Sequence, residues 1–392
     1  MPQARQSEVI VVGGGPAGSI AALVLARAGC PVTVVDKAAW PREKVCGDGL
    51  IPDSLRLLAE LGLLPGVEAL GHRCTGARVV GPGGGEASID LPMLTVRREQ
   101  LDHHLLQAAQ QAGAELVQGE AVGWSAEGDA TVHLDQGRSL QGRLCILATG
   151  ASAPVLERFG VARRKTPSAL AARAYWRLGP HVDPERLVLW FERPVLPGYA
   201  WAFPMGDGVF NVGLGYFLSA TPRMNLKQTL ARLQAESPSA AEALRGAEPL
   251  GPLLGAQLRT GLCGAAPSAS RLLVAGEAIG TTYGLTGEGI GKAMATGRLA
   301  AEHALTSLGS GQLDAASLAA YDQAVEARFR GFFSPYQQAQ AWMRHPALAD
   351  LVLWRSRRSR RVRRLVAAIL SEEQPATALF SVGGLARALL PG

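Results

Sequence analysis

The sequence predicts an α/β fold with three parts: a parallel-sheet domain assembled from separated segments, a mainly antiparallel β domain inserted into it, and a helical C-terminal region. Three observations predict it. A β-branched run, a glycine-rich turn, a helical stretch and a second β-branched run follow one another before Asp36. Further apolar runs that end in glycine recur more than a hundred residues downstream, so strands of one sheet lie far apart in the chain. Between those runs lie alternating segments punctuated by proline and glycine, the pattern of antiparallel strands.

Residues 8–12 (EVIVV) stop at Gly13, Gly14 and Gly15, and residues 16–28 then repeat alanine and leucine at helical spacing until Gly29. Residues 31–35 (PVTVV) form a second strand, closed by Asp36. Such a βαβ unit requires a parallel pair with a right-handed crossover. No charge falls within residues 9–26, yet four glycines and a proline there argue for buried core over a signal peptide or membrane span. Residues 98–112 read as an amphipathic helix with Leu101, Leu105 and Ala109 on one face and Gly113 at its end. His103 and His104 have no partner four residues on, which marks them as surface or packing residues and not metal ligands. Residues 142–149 (GRLCILAT) and 271–275 (RLLVA) are buried strands ending at Gly150 and Gly276, and a helix follows over about 287–305. Within 163–262, the stretches 171–177, 187–191 and 209–216 alternate between turns and carry aromatic residues suited to lining a pocket. The expected domains are therefore 1–75, 97–162 and 263–310 for the parallel-sheet domain, 76–96 and 163–262 for the β-rich domain, and 311–392 for the helical region.

Composition narrows the class. With 47% hydrophobic and 18% charged residues in 392, the chain is an ordinary globular protein. Five widely spaced cysteines with no Cys-x-x-Cys pair suit a reducing cytoplasm, and no metal site is expected. Seven arginines lie between Arg355 and Arg364 with no acid among them, so removing them from a net charge of +6 leaves −1. The basic character is local, which excludes nucleic acid as the main partner. No segment approaches the roughly 20 apolar residues of a spanning helix, so a cytoplasmic protein, at most peripheral at the inner face of the membrane, is expected.

The first turn carries Gly13-x-Gly15-x-x-Gly18. The first glycine permits the turn, the second lets backbone approach a pyrophosphate, and the third lets helix and strand pack closely. Pro16 and Ala17 open a helix whose free N–H groups face the phosphates, and Asp36, eighteen residues after Gly18, is placed to accept from a ribose hydroxyl. A bound dinucleotide is the expectation.

Four stretches resemble the geranylgeranyl reductase family of flavoproteins, within a fold group shared with aromatic-ring hydroxylases and flavin-dependent halogenases. They are the glycine fingerprint with Asp36; Arg42-x-Lys44-x-Cys46-Gly47-Asp48-Gly49, similar to the family's Arg-x-Lys-x-Cys-Gly-Gly; Tyr199-Ala200-Trp201-Ala202-Phe203-Pro204, similar to Tyr-x-Trp-x-Phe-Pro; and Gly276-Glu277-Ala278 with Gly284 to Ile290, similar to Gly-Asp-Ala…Leu-Thr-Gly-Glu-Gly-Ile. The resemblance covers about residues 7–310. It implies a Rossmann-like domain binding FAD noncovalently, with Lys37, Arg42, Cys46, Gly47, Arg98, Gly276, Glu277, Gly287, Gly289 and Ile290 beside the cofactor. It implies reduction of carbon–carbon double bonds in an isoprenoid or similar hydrophobic substrate, with oxygen-using hydroxylation or halogenation as the rival chemistry. Two positions depart from the pattern: Glu277 replaces aspartate, and Asp48 stands where a glycine is usual.

Cys46 is the candidate proton donor at the flavin face, since an ordinary thiol stays protonated at neutral pH; the other four cysteines read as packing residues. Tyr199, Trp201 and Phe203 share one face of a strand and line either a substrate tunnel or the core; their spacing also fits the Trp-x-Trp-x-Ile-Pro motif of the halogenases. There is no second glycine fingerprint, so reduced nicotinamide or another electron donor binds transiently. Leu351, Trp354, Val362, Leu365 and Ile369 recur at steps of three and four, interrupted by Arg358, while Arg357, Arg360, Arg361 and Arg364 fill the other face. One helix with that pattern would dock on anionic lipid headgroups or an acidic carrier protein, or pack on the domain beneath it.

Overall fold

A computed structural model describes residues 7–218, 224–342 and 345–389. The first sheet grows from the βαβ unit. Its parallel strands run in the order Leu272–Val274, Ser139–Leu147, Ser7–Val12, Val32–Asp36 and Glu115–Gln118, with Val9 opposite both Val32 and Leu144. A hairpin, Ala121–Ser125 and Ala130–Leu134, extends it antiparallel along Ser139–Leu147. The helix Pro16–Arg27 packs against both Arg98–Gln111 and Ile290–Ser310 and buries nine of its twelve residues, which is why residues 9–26 carry no charge. Each large aliphatic side chain it buries contributes about 1.5–3 kcal/mol. Helices cross here at close range: a Cβ on Gly297 would lie 2.1 Å from the Ala17 carbonyl oxygen.

The second sheet runs Glu248–Pro249, Ala169–Arg177, Val209–Phe217, Tyr199–Pro204, Arg186–Trp190, His72–Val80, Glu86–Thr95 and Gly49–Leu50, with Leu254–Leu258 also on Ala169–Arg177. All its pairs are antiparallel except Arg186–Trp190 with His72–Val80, where Leu189 faces Val79 in parallel. Residues 49–50 and 72–75 join this sheet, upstream of the 76–96 boundary read from the sequence, because Leu50 pairs with Leu94 and His72 with Thr95. The sheet's outer face has its own core, built from Trp190, Phe210, Val212, Leu230 and Leu233 under the helices Leu226–Glu236 and Pro238–Ala243.

The C-terminal region is helical as expected, but residues 351–369 are two helices and not one. Ser359 adopts extended backbone and ends Pro346–Arg358 while its hydroxyl accepts from the Val362 N–H to start Arg360–Leu370. The heptad-like spacing therefore does not form a continuous stripe. Val362 and Ile369 are buried in the main core, whereas Trp354 is exposed with Arg358 over its ring. Among the described residues no helix is long and apolar enough to cross a membrane.

Candidate active site

The two sheets and the C-terminal helices enclose a cavity of about 750 Å³, inside the range of roughly 300–1,000 Å³ usual for ligand sites. One end is the glycine turn. Gly13 has φ +103° and its N–H donates to the Val35 carbonyl at 2.7 Å, while a Cβ at Gly18 would sit 1.8 Å from the Gly13 oxygen. Both positions require glycine for the turn itself. Gly15 differs, since a Cβ there would meet only the Arg42 guanidinium, at 3.4 Å, so its bare backbone faces the cavity. Asp36 accepts from the Gly14 N–H at 2.7 Å and the Ala38 N–H at 2.9 Å, which fixes its carboxylate at the end of its strand with lone pairs to spare. Lys37 lines the same end.

The floor is the loop carrying Cys46. Arg42 lies over Trp40 at 4.4 Å and pairs with Asp102 at 3.0 Å. Arg98 grips the same carboxylate through two bonds of 2.7 and 2.8 Å. Asp102 is fully buried, so two cations converge on one carboxylate under the cofactor loop. Burial opposes Arg98's charge, but Asp102 and the Cys46 sulfur outweigh it and hold the guanidinium charged. Burial pushes the Cys46 thiol up, with the Arg98 cation pulling the other way and Asp48 adding to the rise.

Asp48 has φ +66°, a left-handed conformation that favours glycine and that aspartate tolerates better than most residues. Its carboxylate accepts from the Tyr175 hydroxyl at 2.6 Å and Asn211 Nδ2 at 2.8 Å. Asn211 also donates to the Cys46 carbonyl at 2.8 Å and accepts from Trp201 Nε1 at 2.9 Å. Burial raises Asp48 to about 6, against the opposing pull of Tyr175, Asn211, Arg173 and Arg98.

Tyr199, Trp201 and Phe203 form the wall opposite, their rings 5.7 and 6.0 Å apart in series, with Phe191 continuing the row at 5.3 Å. Leu91, Met93, Leu187 and Leu189 complete an apolar chamber beside Cys46 and Gly47. Gly276, Glu277, Gly287, Gly289 and Ile290 also line the cavity. Gly276 has φ +72° and its missing Cβ leaves room for Ala17, which would lie 2.8 Å away. Glu277 accepts from the Arg259 N–H at 3.3 Å and the Thr282 hydroxyl at 3.4 Å, the longer side chain reaching back into the loop. Gly289 caps the helix Ile290–Ser310, and the Gly291 N–H of its first turn donates to the Glu288 carboxylate at 2.7 Å.

The cavity thus brings together the cofactor-site and pocket residues expected from the sequence, apart from Gly18, which works inside the turn. Asp102, Tyr175, Asn211 and Arg259 were not singled out there. Only the Arg98-x-x-x-Asp102 spacing, one helical turn apart, signalled one of them. The four remaining cysteines are free thiols, with Cys74 and Cys145 buried. His103 stacks near Trp40, and His104 fills the space left by Gly66.

The FAD binding domain family model matches residues 6–176. Over 321 residues the chain is 35% identical to a menaquinone reductase of Mycobacterium tuberculosis (strain CDC 1551 / Oshkosh), covering 76% of each. It is 30% identical over 350 residues to digeranylgeranylglycerophospholipid reductase 1 of Methanopyrus kandleri, covering 83% of this chain and 88% of that one. The chain belongs to the geranylgeranyl reductase family of FAD-dependent oxidoreductases. Its fold is that of a geranylgeranyl bacteriochlorophyll reductase-like protein from Thermoplasma acidophilum (TM-score 0.77, 22% identity, 98% and 96% of the two chains). A flavin-dependent brominase shares the fold as well (TM-score 0.71, 20% identity, 98% and 100%). The residues present fit FAD: a glycine turn whose bare backbone at Gly15 faces the cavity, a fixed carboxylate at the end of the second strand, and an apolar chamber beside the Cys46 loop.

Proposed function

We propose that this member of the family reduces carbon–carbon double bonds in an isoprenoid or similar hydrophobic substrate. The observation that carries the reading is the apolar chamber of Tyr199, Trp201, Phe203, Leu187 and Leu189 facing the Cys46 loop. The relatives above are named as a menaquinone reductase and a digeranylgeranylglycerophospholipid reductase, which supports a hydrophobic substrate of that kind. When bound and reduced, FAD supplies the hydride for one alkene carbon. The chain's residues do the rest. Gly13, Gly15, Pro16, Ala17 and Asp36 would hold the phosphates and ribose; Arg42 and Arg98, anchored on Asp102, fix the Cys46 loop; the aromatic wall excludes water and orients the substrate chain; Cys46 gives its proton to the second carbon. Reduced nicotinamide or another donor reloads the cofactor transiently.

The decisive experiment is anaerobic. Protein with photoreduced FAD is mixed with a polyprenyl lipid and the product weighed by mass spectrometry. A gain of two hydrogens supports the reading, and loss of that product in Cys46→Ala supports its acid. Product formed only with oxygen, or with oxygen and halide, would instead establish hydroxylation or halogenation on the same fold.

The substrate's insolubility suggests where the enzyme works. Arg357, Arg358, Arg360, Arg361 and Arg364 are exposed and form no ion pair among the described residues. Like charges so close repel unless a partner neutralises them, and each basic residue near an anionic leaflet contributes about 1 kcal/mol. Anionic lipid headgroups are the proposed partner, with an acidic carrier protein the rival. Salt-sensitive co-sedimentation with anionic vesicles, lost when four of the arginines become glutamine, is the expected result; equal sedimentation of both proteins would exclude it.

A further inference from the structure

Strand register places a buried cation on the apolar face of the second sheet. Trp201 lies opposite Gly213, and Gly213 opposite Arg173, so these three share one face. A Cβ on Gly213 would meet the Trp201 ring at 2.4 Å, so the indole reaches across the glycine towards the strand of Arg173. The neighbouring row on that face is Tyr199, Gly215, Ala171 and Ala256, all lining the cavity. Among the described strand residues of this sheet that line the cavity, Arg173 alone is charged.

Arg173 is held tightly but paired incompletely. Its side chain is 3% exposed, and its guanidinium lies over the Tyr175 ring at 4.3 Å. Nη2 donates to the Glu43 carboxylate, while Nε is buried and has no acceptor among the described residues. Nε and Nη2 form one edge of the guanidinium, which suits two oxygens of one anion in parallel. Glu43 uses half of that edge. A buried donor left unused is costly, so a native structure that keeps one calls for an explanation.

Glu43 is also a partner that can leave. Its side chain is 51% exposed and lines the same cavity, three residues before Cys46. The Asp48 carboxylate does not take its place, being engaged by Tyr175 and Asn211. We propose that Arg173 is the headgroup site of this cavity: it binds the phosphate of an isoprenoid lipid, which displaces the Glu43 carboxylate and fills the edge of Nε and Nη2. The hydrocarbon chain then lies along the row of small residues, Ala171 and Gly215, towards the rings of Tyr199 and Trp201. A neutral head would leave Arg173 either on Glu43 or buried without a counter-charge, which is the more costly arrangement. The site thus selects an anionic lipid over a neutral one of the same length.

This inference rests on the reading of the cavity as an isoprenoid site, but its test is binding to oxidised, FAD-loaded protein and needs no turnover. Farnesyl phosphate and farnesol share one chain and differ in the head; inorganic phosphate is the head without the chain. By titration calorimetry the parent is expected to bind farnesyl phosphate about tenfold more tightly than farnesol, because a charge-assisted pair outweighs a neutral hydrogen bond. Glu43→Gln removes the competing carboxylate and is expected to tighten farnesyl phosphate about threefold and leave farnesol unchanged. Arg173→Gln is expected to erase the preference between the two, with its fold checked by circular dichroism; Glu43→Gln, at a half-exposed position, decides the matter if Arg173→Gln does not fold. Equal affinities in the parent, a preference that survives in folded Arg173→Gln, or unchanged farnesyl phosphate binding in Glu43→Gln overturns the proposal. Inorganic phosphate is expected to leave farnesyl phosphate bound at equal concentration; displacement would assign Arg173 to free phosphate and overturn the lipid assignment. Failure here leaves reduction of a neutral-headed isoprenoid standing, and absence of reduction leaves the binding preference readable.

Discussion

The Tyr199 hydroxyl donates to the Thr286 carbonyl, tying the aromatic wall of the second sheet to the loop that covers the cofactor end of the cavity. Burial raises the Tyr199 phenol well above its ordinary range, so it remains a donor at any working pH. The loop also approaches the ring closely, with a Cβ at Gly287 placed 3.0 Å from the hydroxyl. Tyr199→Phe keeps the wall but frees the loop, and losing one such bond costs about 1 kcal/mol. FAD is expected to bind about fivefold more weakly, as read by fluorescence titration. Unaltered affinity would mean that the loop is held by other contacts.

The glycines of the first turn separate folding from binding. Gly15→Val adds a side chain into open cavity, so the apo-protein is expected to fold and to lose FAD. Gly18→Ala drives a methyl group into the Gly13 oxygen and is expected to destabilise the apo-protein itself, by about 1–3 kcal/mol. Circular dichroism and flavin absorbance on both variants check the pair. A Gly15→Val protein that purified yellow would move the phosphate site elsewhere.

Asp102 carries two arginines with no exposure of its own, and removing one partner of a buried pair leaves an uncompensated charge. Asp102→Ala is expected to lose about 3–5 kcal/mol in urea unfolding. The double variant with Arg98→Met is expected to recover part of it; no recovery would show that solvent reaches Arg98.

What the sequence made legible was local. The turn, the helix and Asp36 declare themselves within one βαβ unit because their spacing is fixed by backbone geometry, and the alternation of Tyr199, Trp201 and Phe203 states their common face. The polar floor was illegible because its partners are distant: Tyr175 is 127 residues from Asp48, and Asn211 is 163. No periodicity links an asparagine inside an apolar strand to a carboxylate on a loop so far away in the chain. Asp48 itself was visible only as a departure from a pattern, and its φ of +66° is one that aspartate tolerates. The C-terminal arginines misled for a related reason, since spacing alone does not reveal that Ser359 breaks the helix.

Asp48 also gives stability a pH dependence of known sign. Its carboxyl rises from the ordinary value of 3.8 to about 6 in the folded protein, so the folded state binds its proton more readily than the unfolded state. The associated stability is full below pH 4 and is lost as pH rises to 6, by about 3 kcal/mol. Asp48→Asn removes this loss. The stability of the variant relative to the parent is expected to grow from pH 4 to pH 6 and then level, in urea unfolding at each pH; a flat difference would mean that Asp48 is solvated.

Lys292 offers the most severe test of buried charge in the molecule. Its ammonium contacts Asp53, lies 2.5 Å from Glu372 and 3.5 Å from Glu288, and faces the Tyr283 ring at 5.1 Å. Burial opposes its charge, but the three carboxylates hold it well above the ordinary lysine range, while burial raises both Glu288 and Glu372. Glu372 also accepts from the Thr286 hydroxyl, so the cluster joins the C-terminal helices to the cofactor loop. Three acids share one base, so the folded state favours keeping a proton among them. Lys292→Met leaves the acids unopposed and is expected to lose about 3–5 kcal/mol at pH 8, with a smaller loss at pH 5, where protonated carboxyls need no counter-ion. The sign follows from linkage: acids whose folded-state values are raised lose stability as pH rises through those values. Glu372→Gln removes one acid while keeping an acceptor for Thr286, and is expected to lie within about 1 kcal/mol of the parent at pH 8. Equal unfolding midpoints for Lys292→Met at the two pH values would show that the cluster is hydrated, and would remove its role in fixing the loop.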